Sequence, residues 1–575
     1  MVTTDERLAG APQGRGRPLA RGLTRGAATA LCAGLVGLMG ASGGAGIAPP
    51  FAAAATNEDQ APGTARIWST TPDGTNRLAP VGTVASGAGV AGPRVVLDPT
   101  VRGQSVAGFG ASLTHSSAAL LATLPAPDRH GLLTELFDPS GTVRLSVLRI
   151  PLGGSDFVVE EPYTYDDLPP GETDWDLTHF STAADEDVLR PVLREIRLIN
   201  PDLLIVGSPW SAPAWLKDSG SLNGGRLTSD PRAIPTYARY LVRALEEYRD
   251  AGVPLDALTL QNEPQTRWPA DYPRMEMPAA QAVALSNEVG PALEAAGLST
   301  EILGFDHNWE QHPADLAAVP DGEDPENDYA LRVLEGSPWV AGTAYHCYSG
   351  DPSAQDSVRD AYPERSIWVT ECSGIQSEDP ARTFADTLYW HSRHLLVPAL
   401  EHGASAVLTW NLVLDPAGGP HRGGCDTCTP VVALDGPDVA AREADYYVLA
   451  HAAAFIPPGS VKIGSLSDDA EFAPVAFLAP DGSVVVVLHY AGWQSPSVTL
   501  QLGETAWEVP VAPWSLTTVR IVPESPTDPG PTPTDSPSPS PSPTETTSPD
   551  GGGGPRHWKD SETGLPPGKA KKNTR

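Results

Sequence analysis

Short apolar runs alternate with longer amphipathic stretches between about residues 95 and 457. The runs have the length and β-branched content of buried strands, whereas the stretches between them have the spacing of helices. Repeated βα units of this number and length predict an α/β fold of the (β/α)₈ TIM-barrel type, with an open doubly wound sheet as the alternative. The strand-like runs are 143–150, 203–208, 257–261, 301–304, 340–346, 367–370 and 406–410, and helical stretches include 234–248, 279–296 and 381–401.

The pattern changes at residue 455, where short β-rich runs separated by turns replace the alternation of strands and helices. This pattern predicts an antiparallel β-sandwich over residues 455–523, after a catalytic barrel over residues 95–454. Two similar runs precede the barrel, so residues 56–94 are expected to supply strands to the same sandwich. The runs after the barrel are 475–478, 483–489, 497–502 and 515–521, and those before it are 66–70 and 78–81.

The two ends of the chain differ in composition from the middle. Residues 1–55 contain an arginine-rich segment, an apolar stretch at 27–40 and an alanine-rich end, which is the pattern of a cleaved signal peptide. Residues 524–575 are rich in Pro, Ser and Thr and cannot bury a core, so they are interpreted as a disordered linker and tail. We therefore expect a secreted, extracellular protein, and we expect it to be a monomer.

The charge balance restricts the partners of this chain. Lys and Arg number 38 and Asp and Glu number 71, which gives a formal net charge of −33. Such a surface repels phosphate backbones, so no nucleic-acid partner is expected. The apolar stretch near the N-terminus is short for a membrane span, so stable membrane insertion is not expected either.

Polar and aromatic side chains follow several predicted barrel strands, at the end of the barrel where active sites lie. Glu263, preceded by Asn262, follows one strand, and Glu371 follows another. Glycoside hydrolysis needs one carboxylic acid to protonate the leaving oxygen, and a second carboxylate to attack the sugar or to activate water. Two strand-end glutamates therefore predict a glycosidase. Trp210 and Trp410 offer flat apolar faces against which sugar rings can pack.

Other hydrolytic chemistries lack their residues in this chain. No G-x-S-x-G segment occurs after the predicted signal peptide, so a serine hydrolase is disfavoured. His391 and His394 lie three residues apart on a predicted helix, but no third metal ligand is apparent. We interpret these two residues as surface histidines, and we expect neither a metal ion nor another cofactor.

Four cysteines remain once the signal peptide is removed, and four cysteines allow three pairings. Exported chains meet an oxidising environment, so two disulfides are expected. Cys425 and Cys428 are separated by two residues in a glycine-rich loop, which favours a local bridge. Cys347 and Cys372 follow consecutive barrel strands, and the strand spacing of about 4.8 Å allows a second bridge.

Six longer segments resemble glycoside hydrolase family 30, the glucosylceramidase-like family, in order along the chain from about residue 66 to residue 522. The resemblance implies a (β/α)₈ barrel with a fused β-sandwich and a mechanism that retains the anomeric configuration. It makes Glu263 the acid/base and Glu371 the nucleophile. Because the acid must start protonated, we expect the pKa of Glu263 to lie above that of Glu371. The segments are 108–114, 148–157, 208–217, 261–264, 370–372 and 410–420.

The same resemblance implies a set of residues that grip the sugar at the cleavage point. Tyr348 is expected to hydrogen-bond to Glu371 and keep it ionised. By matching position the set consists of Arg149, Asp156, Trp210, Asn262, Tyr272, His346, Tyr348 and Trp410.

Two departures from the animal glucosylceramidases resemble the microbial, secreted branch of the family, whose members include β-1,6-glucanases. Cys347 stands between His346 and Tyr348, where the animal enzymes carry Trp, and a cysteine loop at 423–428 follows the last barrel motif. The sequence therefore predicts a secreted retaining β-glycosidase that acts on a β-glucan or β-glucoside. It is an endo-β-1,6-glucanase or a glucosylceramidase-like β-glucosidase, and the alternative is a catalytically inactive, wall-associated carbohydrate-binding protein of the same fold.

Overall fold

The computed structural model describes residues 61–87, 92–267 and 271–524. The predicted signal peptide at 1–55 and the predicted tail after residue 524 lie outside these residues. In chain order, the strands are β1 (Thr64–Thr70), β2 (Ala79–Ala85), β3 (Arg94–Ser105), β4 (Gly108–Ser112), β5 (Val147–Leu152), β6 (Leu204–Pro209), β7 (Ala257–Thr259), β8 (Glu301–Leu303), β9 (His307–Asn308), β10 (Val340–His346), β11 (Ser366–Glu371), β12 (Ala406–Asn411), β13 (Val413–Leu414), β14 (Val432–Asp435), β15 (Asp438–Arg442), β16 (Val461–Ser467), β17 (Phe472–Leu478), β18 (Val484–Tyr490), β19 (Ser497–Leu502), β20 (Thr505–Pro510) and β21 (Leu516–Val522).

The helices lie mostly between the barrel strands. Among the described residues, no helix combines the length and the apolar character that crossing a membrane requires. In chain order, the helices are α1 (His115–Thr123), α2 (Ala126–Phe137), α3 (Ala183–Glu186), α4 (Leu189–Ile199), α5 (Ala233–Asp250), α6 (Ala279–Ala295), α7 (Pro313–Ala317), α8 (Tyr329–Gly336), α9 (Asp356–Ala361), α10 (Thr383–Trp390), α11 (Val397–Glu401) and α12 (Ala444–Ala453), with 3₁₀ turns at Ala214–Leu216, Pro352–Gln355 and Pro380–Arg382 and a π-helical turn at His391–Leu396.

Eight parallel strands close into the predicted barrel, in the order β4, β5, β6, β7, β8, β10, β11, β12 and back to β4. The two-residue strand β9 pairs with β10 beyond the end of β8. Within the barrel, apolar side chains from alternate positions pack into a core, as barrel interiors require. This core consists of Val147, Val206, Ala257, Leu303, Ala344, Trp368, Ala406 and Leu408.

The second domain is a nine-stranded sheet in the order β2, β1, β21, β18, β17, β16, β3, β19, β20, which encloses its own apolar core. The predicted sandwich is therefore confirmed, and β1 and β2 belong to it, but two details differ. Strand β3 pairs with β16 and β19, so the barrel begins at β4 and not at residue 95. The β3–β19 pair is also parallel, so the sheet is not purely antiparallel. Only two residues separate β3 from β4, so the hydrophobic pattern does not mark this boundary.

The predicted helix at 381–401 is continuous but changes its hydrogen bonding at the π-helical turn between α10 and α11. The interpretation of His391 as a surface residue was wrong, because its side chain is fully buried. Its ring lies 3.7 Å from the sulfur of Cys372 and 3.2 Å from a carboxylate oxygen of Asp445. His394, by contrast, is exposed.

His451 on α12 joins the barrel to the sandwich. Its side chain is buried and lies 2.9 Å from the hydroxyl of Thr70 on β1 and 2.8 Å from that of Thr518 on β21. Beside it, the rings of Trp68 and Phe455 pack with their centroids 4.5 Å apart. The sandwich is thus held against the barrel by polar and aromatic contacts that include its N-terminal strand.

Candidate active site

A cavity of about 500 Å³ opens at the carboxyl end of the barrel strands. Eight residues of the predicted set line this cavity. The other two, Arg149 and His346, are completely buried and contact the lining residues. The structure therefore brings all ten predicted catalytic and sugar-binding residues into one site. The predicted residues that line the cavity are Asp156, Trp210, Asn262, Glu263, Tyr272, Tyr348, Glu371 and Trp410.

Arg149, in β5, links two acidic side chains below the cavity. Its guanidinium donates to Glu371 over 2.6 Å and to Asp306 over 2.8 Å. It also donates to the amide oxygen of Asn262 over 2.7 Å. A buried guanidinium with its fork of donors holds each partner in a fixed direction, so Arg149 orients both Glu371 and Asn262.

Asp306 is a functional residue that the sequence analysis missed. Besides Arg149, its buried carboxylate accepts hydrogen bonds from Ser208, Thr259 and Thr370 and lies 2.9 Å from Nε2 of His346. These contacts reach Asp306 from β6, β7, β10 and β11. Charged partners, Arg149 foremost, hold its pKa well below the ordinary value although burial opposes this. The available signal was an acid two residues after the strand-like run at 301–304.

Glu263 lies after β7 in a left-handed backbone conformation, with φ of 47°. This conformation is uncommon for a residue other than glycine and is typical of functional positions. Its Oε1 atom lies 3.3 Å from Nδ1 of His346 and 3.8 Å from Nδ1 of His307. Thr266 donates to its Oε2 atom over 3.2 Å. Glu263 is therefore held between a hydroxyl and two imidazole rings.

Glu371 ends β11 and faces Glu263 across the cavity floor. Its Oε2 atom accepts from Arg149, and its Oε1 atom accepts from the hydroxyl of Tyr348 over 3.0 Å. The same Oε1 atom lies 3.9 Å from Nδ1 of His346. Each carboxylate oxygen thus has its own donor, which fixes the plane of the carboxylate.

The pKa values of the two glutamates shift in opposite directions. Burial raises the pKa of Glu263, but the hydrogen bond from His346 and the charge of His307 outweigh burial and bring that pKa to about 2. Burial raises the pKa of Glu371 above its ordinary value, although His346 and Arg149 oppose this effect. Burial lowers the pKa of His346, but the carboxylates around it, with Glu371 first, raise it to about 9. Glu263 and His346 therefore hold one proton as a pair.

Aromatic rings form one wall of the cavity. Trp210 and Trp410 are stacked with their ring centroids 5.2 Å apart, and Phe157 packs edge-on against Trp410. The guanidinium carbon of Arg149 lies 4.8 Å from the ring centre of Trp210. This cation–π contact holds the Trp210 ring over Arg149, and the ion pairs of Arg149 hold the guanidinium in place. Tyr272 packs into the same cluster.

Asp156 and the cysteine loop lie beside this aromatic wall, since Cys425 and Cys428 pack in the same cluster. Burial and the negative charge of Glu371 raise the pKa of Asp156 well above its ordinary value. A Cβ atom on Gly424 would lie 2.1 Å from Oδ2 of Asp156, and Gly424 also has a positive φ of 69°. Only glycine fits there, so this residue lets the loop close over Asp156.

The four cysteines lie in two pairs at the rim of the site. The sulfurs of Cys347 and Cys372 are 2.00 Å apart, and their Cα atoms are 5.2 Å apart. Cys425 and Cys428 form the second pair, with Cα atoms 5.6 Å apart. The first pair joins the ends of β10 and β11, next to His346, Tyr348 and Glu371, and the second lies in the loop that closes over Asp156.

Two groups of three potential metal ligands occur in the described part of the chain, with the ligand atoms of each group within 4.8 Å of one another. One group is Glu263 with His307 and His346, whose nitrogens already contact carboxylates in the site. The other is Asp166, Asp174 and His179, on the loop after β5. The expectation that the protein needs no metal stays a prediction.

Two family models match the chain. The model described as the glycosyl hydrolase family 30 TIM-barrel domain matches residues 106–456. The model described as the glycosyl hydrolase family 30 beta sandwich domain matches residues 459–519. The first match covers more than half of the chain, and both agree with the division into barrel and sandwich.

Curated relatives cover most of the chain. An endo-1,6-beta-D-glucanase of Neurospora crassa is 30% identical over 74% of this chain and 88% of its own length. Another from Aspergillus fumigatus is 30% identical over 81% of this chain and 96% of its own. The lysosomal acid glucosylceramidase of Mus musculus is 28% identical over 74% of this chain and 82% of its own. A solved endo-β1,6-glucanase structure covers 79% of this chain and 98% of its own, with a TM-score of 0.71 and 29% identity.

Proposed function

Because the chain belongs to glycosyl hydrolase family 30, we propose that this glycoside hydrolase is a secreted, retaining endo-β-1,6-glucanase. The observation that carries the proposal is the pair Glu263 and Glu371, whose Oε1 atoms lie 3.3 and 3.9 Å from one nitrogen of His346. A shared neighbour keeps the two carboxylates close together, which supports a retaining mechanism, whose carboxyl groups lie about 5–5.5 Å apart. The endo-1,6-glucanase relatives support the linkage.

Glu371 acts as the nucleophile in this proposal. Its carboxylate oxygen bonds to the anomeric carbon while the bond from that carbon to the leaving oxygen breaks. Arg149 and Tyr348 each hold one oxygen of Glu371, and they keep the carboxylate plane fixed during the attack. Their hydrogen bonds favour the ionised form, which is the form that can attack.

Glu263 acts together with His346 as the acid and then as the base. Since the two side chains hold one proton between them, they titrate as a pair. In the first step that proton moves from Nδ1 of His346 through Glu263 to the leaving oxygen. In the second step Glu263 takes a proton from water, the water oxygen bonds to the anomeric carbon, and the bond to Glu371 breaks. The proton taken from water replaces the one given to the leaving oxygen, so the pair of Glu263 and His346 is again in its starting state.

The remaining cavity residues bind the sugar at the cleavage point. Asn262 is fixed by Arg149 and offers its amide to a sugar hydroxyl next to the anomeric carbon. Asp156 accepts from, or donates to, hydroxyls at the other end of the ring. Trp210 and Trp410 cover the apolar face of the sugar, and Tyr272 closes the wall beside them. The sugar hydroxyls thus meet polar groups, while its C–H faces meet rings.

Product analysis on a panel of polymers tests this function. The purified protein is incubated with pustulan, laminarin, xylan, gentiobiose and glucosylceramide, and products are separated by chain length. Soluble β-1,6-linked oligomers that appear early from pustulan support the proposal. Release of glucose alone would contradict endo action, and cleavage of glucosylceramide alone would contradict the glucan substrate. A Glu371→Gln variant is the control for contaminating activity, and an equally inactive wild type would favour the carbohydrate-binding alternative.

A further inference from the structure

A second cavity of about 410 Å³ adjoins the catalytic cavity. The two share Tyr348 and Ile375, and the second cavity extends to Trp390 at the end of α10. These three side chains are 40%, 49% and 38% exposed, respectively. A solvent-facing path with aromatic and aliphatic side chains among polar ones therefore leads from the catalytic cavity along the outside of the barrel.

Aromatic rings continue this path from the barrel onto the sandwich. Beyond Trp390, the ring of His394 lies 5.6 Å away, and Tyr389 lies 6.1 Å from His394. Trp514, in the loop before β21, lies 5.0 Å from Tyr389. Trp493, in the loop after β18, lies 4.9 Å from Trp514. We call these five residues the aromatic strip.

Packing between the domains explains only the inner part of the strip. Tyr389 and Trp514 are half-buried and join α10 to the sandwich. Trp493, however, is 81% exposed and so adds little buried apolar area to the fold. Its neighbour Trp514 has a left-handed backbone with φ of 53°, which is an outlier for so bulky a residue and is typical of functional positions. The strip thus has exposed rings at both ends, joined by half-buried ones, and exposed aromatic surface of this kind is typical of a binding site.

We propose that the aromatic strip binds the β-glucan chain beyond the point of cleavage, so that one polymer contacts both the catalytic cavity and the sandwich. The proposal rests on the proposed glucanase function and adds a site for the polymer. The strip runs on from the catalytic cavity through Tyr348 and Trp390, so a chain cleaved there passes along it. A glucan is uncharged, so the net charge of −33 does not oppose its binding. Its sugar rings present C–H faces that pack on indole and phenol rings.

The strip should affect polymer and small substrates differently. A chain held at the strip presents its other glucosyl units to the cavity at a high effective concentration. Losing a contact on the strip therefore raises KM for polymer. It leaves kcat unchanged, since no strip residue touches the reacting atoms, and it leaves short substrates unaffected because they do not reach the strip.

The test uses full-length Trp493→Ala, with Trp493→Phe as the conservative variant and Leu466→Ala as the matched control. Leu466 is a 74% exposed apolar residue on β16 of the same domain and lies outside the strip. KM and kcat are measured on high-molecular-weight pustulan and on 4-nitrophenyl β-glucoside. We expect Trp493→Ala to raise KM for pustulan roughly three- to tenfold, the effect of one lost aromatic contact. Its kcat and its activity on the small glycoside should match the wild type, Trp493→Phe should recover most of the loss, and Leu466→Ala should show none.

An unchanged KM for pustulan in Trp493→Ala would overturn the proposal, and so would an equal loss on both substrates, which indicates general damage to the fold. Trp390→Ala repeats the test on the barrel side of the strip. If the wild-type enzyme cleaves another polymer of the panel and not pustulan, the proposed specificity for β-1,6 linkages is wrong. The strip is then tested with the polymer that is cleaved, so the two failures are distinguishable.

Discussion

Glu263 and Glu371 approach the same atom, Nδ1 of His346, to 3.3 and 3.9 Å. The other nitrogen of this ring lies 2.9 Å from the buried carboxylate of Asp306. One imidazole therefore contacts three carboxylates, which is why its pKa rises to about 9 although burial alone would lower it. His346 therefore couples the protonation of both glutamates to that of Asp306.

Replacing Glu263 or Glu371 by alanine should impair different steps of the reaction. Glu371→Ala should abolish turnover on every substrate, because no covalent bond to the anomeric carbon can form. Added azide should then restore some reaction and give a product of inverted configuration. Glu263→Ala should keep the first step on dinitrophenyl glycosides, whose leaving group needs no proton, and should accumulate a glycosyl-enzyme. Azide should release the sugar from this intermediate as a glycosyl azide of retained configuration.

Product configuration is read by NMR of the glycosyl azides, with the wild-type enzyme plus azide as the control. The same configuration from both variants would show that the two roles are wrongly assigned. Near-native activity of both variants on pustulan would contradict the carboxylate mechanism itself.

The pH profile of kcat/KM should be set by His346 on its basic side. The pair Glu263–His346 loses its proton as pH rises through about 9, so activity should fall there. On the acidic side activity should fall as Glu371 becomes protonated, at a pH above its ordinary pKa of 4.5 because burial raises that pKa.

In His346→Gln the proton must reside on Glu263 itself, so the basic limb should move to lower pH. The kcat value should drop by about 10²–10⁴, the usual contribution of acid–base catalysis. His130→Gln, an exposed histidine on α2, is the control and should keep the wild-type profile. A basic limb that stays near 9 in His346→Gln would exclude this histidine as the proton store.

His451, between the domains, should make folding sensitive to acid. Burial lowers its pKa from 6.5 to about 3, so the folded protein holds it neutral while the unfolded chain protonates it below 6.5. The unfolded state then binds more protons, and stability falls as the pH drops from about 6.5 towards 3. At pH 5 the loss from this residue is about 2 kcal/mol.

His451→Gln cannot take up that proton and should lose less stability between pH 7 and pH 5 than the wild type. The measurement is the thermal midpoint at both pH values, compared with His130→Gln as an exposed control. Equal acid sensitivity of His451→Gln and wild type would assign the effect to other groups.

Activity should survive a chelator, because the proposed mechanism uses only carboxylates, an imidazole and water. The enzyme is dialysed against EDTA, and its rate on pustulan and its thermal midpoint are compared with untreated protein. A loss of activity that Zn²⁺ or Mn²⁺ restores would contradict this prediction. In that case Glu263, His307 and His346, whose ligand atoms lie within 4.8 Å of one another, would be the first residues to examine.

The sequence predicted the barrel strands well where they were long and apolar, and less well where packing demands small residues. Strand β4 contains Gly108 and Gly110 and has little hydrophobic signal. A Cβ atom on Gly110 would lie 1.8 Å from the carbonyl oxygen of Val147 on β5, so close strand contact excludes a larger residue. The boundary between β3 and β4 was missed because β3 pairs with strands that are distant in the sequence. Its partners, β16 and β19, lie more than 350 residues further along the chain.

The site itself was predictable as a set of residue types after barrel strands. What the sequence could not give was the role of Asp306, which follows a three-residue strand and has no local feature that separates it from a helix cap. Its importance comes from groups on five other strands that meet only when the barrel closes. The pKa shifts of Glu263 and Glu371 could not be derived for the same reason, because they depend on the three-dimensional position of His346.

The nine-stranded sheet combines strands from both ends of the described chain, and this affects the order in which the protein assembles. Strand β1 pairs along its whole length with β21, and Trp507 donates to the carbonyl of Gly63 across 444 residues of chain. The sandwich therefore cannot form until its last strand has left the ribosome, and until then β1–β3 expose unpaired edges and apolar faces. Such segments are prone to aggregation during synthesis. Export of the chain before it folds, and chaperones that cover the early strands, would both serve this topology.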